Sequence, residues 1–196
     1  MNRLDLSTRL IHFTRGETPE DASGTFRSIL QQGALKGSSR DIRGGFNCVC
    51  FTEAPLSALA QVLAVDESMM RYAPLGVAVG REWLFERGGR PVIYQTNDEY
   101  ELLDESQKYR HVRYEPTRGC DYTWEREWRI RSDRLQLNPY EATFIVPTRK
   151  WVDEYQMQHM DEQLIKNINM EIMILEPPQW HFLVLEDLGV KSRFED

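Results

Sequence analysis

Residues 122–130 read YTWEREWRI, a run in which charged and aromatic residues alternate. Read as a β-strand, the period of two puts Glu125, Glu127 and Arg129 on one face and Trp124, Arg126, Trp128 and Ile130 on the other. Two carboxylates two positions apart on a strand face, beside bulky indoles, form a costly arrangement. Like charges repel and aromatic walls desolvate them, and both effects favour the neutral acid. A plainer account is a charged strand face whose acids pair with Arg126, Arg129 or cross-strand neighbours. Both accounts read 124–130 as a strand, exposed in the plainer one.

Working outward, residues 8–14 (TRLIHFT) read as a first strand that carries an imidazole, His12, among apolar neighbours. A histidine in that setting is either a core residue bonded to a carbonyl or a site residue. The following stretch, 17–35, has Pro19 at a helix start, acids behind it, Phe26, Ile29 and Leu30 on one face, and Gly33 as a stop. Residues 37–45 (GSSRDIRGG) read as a loop and 46–53 (FNCVCFTE) as a compact apolar strand. Pro55 opens a helix expected over 54–72. Strands are expected at 75–80, 90–95, 127–132, 141–147, 170–175 and 179–187. Helices are expected at 81–89, at 97–109 with Asn97 as cap, and at 148–167 with Thr148 as cap and an amphipathic face. Around seven strands with four or five helices, not in strict alternation, imply an α+β fold with a mixed sheet.

The chain has 196 residues, a size that suits a single domain spanning 1–196. No repeat or Pro/Ser linker divides it. Hydrophobic residues make up 41% and charged residues 28%, an ordinary globular balance. No apolar run is long enough to cross a bilayer, and the N-terminus lacks a signal-peptide core, so the expected location is the cytoplasm, with no membrane partner. The net charge of −7 argues against a protein that grips nucleic acid mainly through a broad phosphate-binding surface. It leaves room for a local basic patch, and Arg3, Arg9, Arg15, Arg27, Arg40 and Arg43 all fall early in the chain.

Three cysteines, Cys48, Cys50 and Cys120, do not make a disulfide framework. The Cys-x-Cys pair has no second pair or nearby histidine to complete a zinc set, so no metal site is expected and the two thiols read as packing residues on one face. The glycine patterns of dinucleotide and P-loop sites are missing, as are the metalloprotease and serine-hydrolase motifs. A nucleotide, if bound, therefore occupies another type of cleft. Thr52 and Glu53 end their strand just before Pro55, where the hydroxyl either holds a ligand or caps the helix. His111, His159 and His181 have no neighbours in sequence that suggest a site.

Three patches in order, LIHFT with FRSILQQGAL, then CVCFTEAPL, then EREWRI, resemble ADP-ribosyltransferase folds. The likeness is greatest to DNA-targeting ADP-ribosyltransferase toxins and to bacterial proteins linked to phage resistance by abortive infection. It covers residues 10–130. The resemblance implies a split mixed sheet with flanking helices and NAD as substrate. It implies transfer of ADP-ribose to a protein or nucleic-acid acceptor, or to water in a glycohydrolase. A cognate antitoxin or other defence-system partner is implied as well, and so is the rival case of a catalytically inactive binding or regulatory domain.

On this resemblance Glu127 is the catalytic carboxylate and Glu125, in the Glu-x-Glu pattern, orients the acceptor. His12, with Phe13 and Thr14 beside it, would hold NAD by donating to a ribose or to the nicotinamide end. Phe51 would stack on nicotinamide and Thr52 would hydrogen-bond to it. The chain departs from the family in having His12 where arginine-directed members have arginine, and in lacking the stacking tyrosine of the histidine-type branch. Tyr94 is the nearest substitute. All of this requires His12 and Glu127 to face one shared hollow.

Overall fold

The structure, a computed structural model, describes residues 7–63, 72–170 and 179–190. Its centre is a seven-stranded mixed sheet. In chain order the strands and helices are β1 (Arg9–Phe13), α1 (Pro19–Gln32), β2 (Ala34–Lys36), β3 (Cys48–Thr52), α2 (Leu56–Leu63), β4 (Gly76–Gly80), α3 (Arg81–Glu86), β5 (Arg90–Pro91), β6 (Ile93–Gln95), β7 (His111–Arg113), β8 (Glu127–Arg131), β9 (Arg134–Gln136), β10 (Thr143–Val146), α4 (Arg149–Met170) and β11 (His181–Val184). The large sheet runs β11-β10-β4-β1-β3-β8-β5, with only β10 and β11 parallel. Two small ribbons, β2 with β9 and β6 with β7, stand apart from it.

Helix α1 forms for reasons visible in its sequence. Thr18 and Asp21 make a reciprocal capping box, Pro19 occupies the first turn, and Gly33 ends the helix in the left-handed region at φ 57°. Its face buries Ala22, Phe26 and Ile29 on the sheet, where Val49, Phe51, Val77, Val79 and Phe144 make the main core. Phe26 meets the rings of Phe144 and Trp151 edge-on at 5.6 and 5.8 Å. A smaller core on the opposite face gathers Ile11, Phe13, Leu59, Ala78, Ile145 and Leu185.

The two halves of the sheet meet weakly. Strand β1 pairs with β4 from Arg9–Gly80 through Phe13–Gly76, but with β3 only at Ile11–Thr52. A continued ladder would set Phe13 opposite Cys50. Instead the Cys50 carbonyl accepts from the His12 ring at 2.8 Å.

Four expectations are corrected. The strand expected from Trp124 begins at Glu127, because Thr123–Glu125 is a 3-10 turn and Arg126 is left-handed at φ 45°. The strand over 90–95 divides, β5 joining β8 and β6 pairing with β7. The helix over 97–109 reduces to 3-10 turns at Asp98–Leu102 and Lys108–Arg110. Local side-chain bonds compete with the helix there: Asp104 accepts from the Ser106 N–H, and the Asn97 amide accepts from Arg43 rather than capping. Helix α4 buries Trp151, but Met157, Met160, Leu164, Ile165 and Ile168 face outward, so its amphipathic character is confined to its first turns. Its first N–H, at Arg149, donates to Glu186 at 2.7 Å. The expected strand at 170–175 and the second half of the helix after Pro55 lie outside the described residues.

Phe26→Ala removes the ring on which α1, the sheet and α4 converge. A loss of about 3–5 kcal/mol in unfolding free energy is expected, measured by urea denaturation followed by tryptophan fluorescence.

Candidate functional site

A cleft of about 780 Å³ opens where β1 and β3 part, within the size range of ligand pockets. It is lined by the end of β1, the loop after β2, the outward face of β3 and β8, the turn before β8, and Tyr72. Register fixes which side chains share that face. Pairs Thr52–Glu127 and Cys50–Arg129 place Cys50, Thr52, Glu127 and Arg129 together, with Ile11 opposite Thr52. By alternation His12 belongs to the other face, with Leu10. It nevertheless lines the same cleft as Glu127, because its ring sits in the opening between the two strands.

A carbonyl can only accept, so the His12 Nδ1 carries the proton and Nε2 is bare while the ring is neutral. Burial pushes the ring's pKa below its ordinary value, and the charge of Arg15 adds to that against the opposing carbonyl bond. At neutral pH the imidazole thus presents an acceptor. The expected donor role toward a ribose is corrected accordingly: His12 would receive a hydroxyl proton.

Glu127 is held by a two-pronged ion pair. Its Oε1 and Oε2 accept from Arg129 Nε and Nη2 at 2.8 and 3.1 Å. The remaining Arg129 nitrogen donates to the carbonyls of Tyr109 and His111, both at 2.9 Å. Glu125 reaches the cleft by a different route, carried in by the turn that Arg126 closes. It is buried, and its Oε2 accepts from the Tyr72 hydroxyl at 3.0 Å. The picture of two acids squeezed between indoles is replaced. Trp124 is 42% exposed, and Trp128 packs in the main core with its indole N–H donating to Glu53.

The residues expected to hold NAD divide. Phe51 is 2% exposed in the main core, edge-on to His12 at 5.8 Å, so it offers no ring face for stacking. Thr52 donates to the Glu125 carbonyl and accepts from the Ala54 N–H, so its hydroxyl pins the turn rather than a ligand. Thr14 is buried with its hydroxyl on the Leu75 carbonyl, and Phe13 packs in the smaller core. Tyr94 does not line the cleft. Its oxygen accepts from the Glu127 N–H and its hydroxyl donates to the Tyr122 carbonyl, bracing the start of β8, while burial pushes its pKa to about 12.

Sequence reasoning missed several lining residues. Tyr72 and Tyr122 line the cleft, and Tyr72 carries the Arg15 guanidinium 4.6 Å above its ring. His111, set aside in the sequence, also lines it, bonded to the Thr96 carbonyl at 3.1 Å. Cations outnumber acids in the lining: Arg15, Lys36, Arg40, Arg43, Arg113 and Arg129 against Glu17, Asp41, Glu125 and Glu127. Arg43 and Arg113 are paired to Glu101 and Glu115, whereas Lys36 and Arg40 have no ion-pair partner among the described residues. The signal for this rim was the arginine density of the early loop.

Among the described residues no group of three or more His, Cys, Asp or Glu side chains is placed to hold a metal ion. None of the described helices is long and apolar enough to cross a membrane. Comparison with known protein families, curated proteins and solved structures finds no match.

Cys50 faces the cleft with its thiol protonated far into the alkaline range, because burial and the Glu127 charge both disfavour the thiolate. At pH 8.5 its alkylation by iodoacetamide should run at least about tenfold slower than that of glutathione, read by peptide mass spectrometry.

Proposed function

We propose that the protein is an NAD-consuming ADP-ribosyltransferase. The observation that carries this is a single cleft that brings together His12, Glu125 and Glu127, remote in sequence, beneath a rim containing Lys36 and Arg40. The parts match the demands of the reaction. Breaking the bond between nicotinamide and ribose leaves positive charge on the sugar, as in glycoside hydrolysis, and nicotinamide departs with the electron pair. An acceptor nucleophile then bonds to the ribose carbon and loses its proton. A carboxylate fixed beside that carbon stabilises the charged state more than the ground state. Glu127 fits this role, Glu125 fits orientation of the acceptor, and the bare Nε2 of His12 fits a ribose hydroxyl. The rim cations suit the pyrophosphate.

The acceptor is a protein or nucleic-acid group, or water in a glycohydrolase. The biological role we assign is a toxin-type or abortive-infection effector against phage, acting in the cytoplasm beside a cognate antitoxin or defence partner. Three free thiols accord with a reducing compartment.

A second reading, a non-catalytic NAD-binding or regulatory domain, is favoured by one observation: both oxygens of Glu127 are already engaged by Arg129. Nicotinamide release from NAD separates the two. Wild type should release it with candidate acceptors present, and Glu127→Gln should be slower by about 10²–10³-fold. Equal and negligible release from both, with NAD binding retained in calorimetry, would establish the binding reading instead.

A further inference from the structure

Resting on Glu127 as the acid that serves NAD, we infer that Arg129 is its positioning residue rather than a lock that inactivates it. Arg129 is 5% exposed, and its guanidinium makes four hydrogen bonds to fixed partners. Two go to Glu127 and two to main-chain carbonyls, that of Tyr109 in the turn before β7 and that of His111 at its start. The carbonyl pair prevents the guanidinium from turning, so the fork holds the carboxylate in one rotamer. The backbone of Glu127 is pinned as well, through its N–H to the Tyr94 hydroxyl oxygen.

Counting acceptor sites decides between positioning and locking. A carboxylate has about four lone-pair directions. The fork takes two. The remaining directions are open to a ligand hydroxyl. A lock that had to open would release Arg129 into a cleft already rich in cations, and would strip the Tyr109 and His111 carbonyls of their donor. An acid held in place before substrate arrives needs no reorganisation during the reaction.

Arg129→Lys keeps the charge and loses the planar fork. In steady-state nicotinamide release its kcat should fall at least about tenfold, with KM for NAD within about twofold, and adding Glu127→Gln should slow it no further than Glu127→Gln alone, since two residues acting as a unit are non-additive. A kcat at or above wild type, a change confined to KM, or fully additive losses would overturn the inference while leaving the transferase reading intact. Wild-type protein that releases no nicotinamide sinks the reading and the inference together. Should Arg129→Lys fail to fold, the wild-type chain supplies the test. The Arg129 Nε–H resonance should stay exchange-protected when NAD is added, and its loss on NAD addition would mark a fork that opens.

Discussion

The large sheet is one sheet by a narrow margin: between β1 and β3 the ladder has a single registered pair, Ile11 with Thr52, and an imidazole–carbonyl bond beside it. Everything proposed for the cleft follows from that weakness. Backbone N–H and C=O groups in a sheet interior must be paired, and where a ladder stops each orphan group needs another partner. His12 supplies one for the Cys50 carbonyl. The same bond sets the ring's tautomer, and burial keeps the ring uncharged. A polar side chain thereby stands in for a missing rung, and the space left by the missing ladder is the cleft. The account of a histidine bonded to a carbonyl therefore holds for His12, and its ring lines the cleft as well.

The other wall obeys a different constraint. Burying a guanidinium is expensive unless it is paired and its remaining donors are met. Arg129 satisfies both conditions with one carboxylate and two carbonyls, and in doing so ties β8 to the segment that leads into β7. The small β6–β7 ribbon thus supports one wall of the cleft. Tyr94 has the same standing, a brace on β8 rather than a ring for a ligand.

Where local chemistry decides structure, the elements were legible. The capping box, proline and glycine of α1 mark its two ends, and the apolar runs at 48–52, 76–80 and 143–146 are strands as their pattern implies. The site was legible only in part. Glu127, Arg129 and Cys50 share a face because period two holds along β3 and β8. Glu125 reaches the cleft although its reason was misjudged, since a left-handed Arg126 cannot be anticipated from a strand-like pattern. Phe51 packs in the main core, and nothing in one strand tells which of its faces meets that core, whereas Thr52 is on the cleft face with its hydroxyl engaged by the Glu125 carbonyl and the Ala54 N–H. The rim of the 36–43 loop comes from a segment with no periodic signal, and Tyr72, the last residue of the helix expected over 54–72, carried no signal that it would meet Glu125.

Net charge misleads in the same way. A chain of −7 places six cationic residues against four acidic ones around its cleft, and an average over the whole surface conceals the local field. Charges at the rim act over about a Debye length, near 8 Å at physiological ionic strength, so distant acids on the outer surface do little to cancel Lys36 and Arg40 at the mouth. The deeper pair behaves differently, because Glu127 and Arg129 are screened by little water and neutralise each other at contact. An anionic ligand would therefore be attracted at the entrance and meet, deeper in, a Glu127–Arg129 pair of no net charge, where the imidazole and the unengaged carboxylate lone pairs offer directional acceptors. That division, field at the rim and geometry at the floor, suits a ligand with phosphates at its middle and a hydroxyl-bearing sugar at the end that reacts.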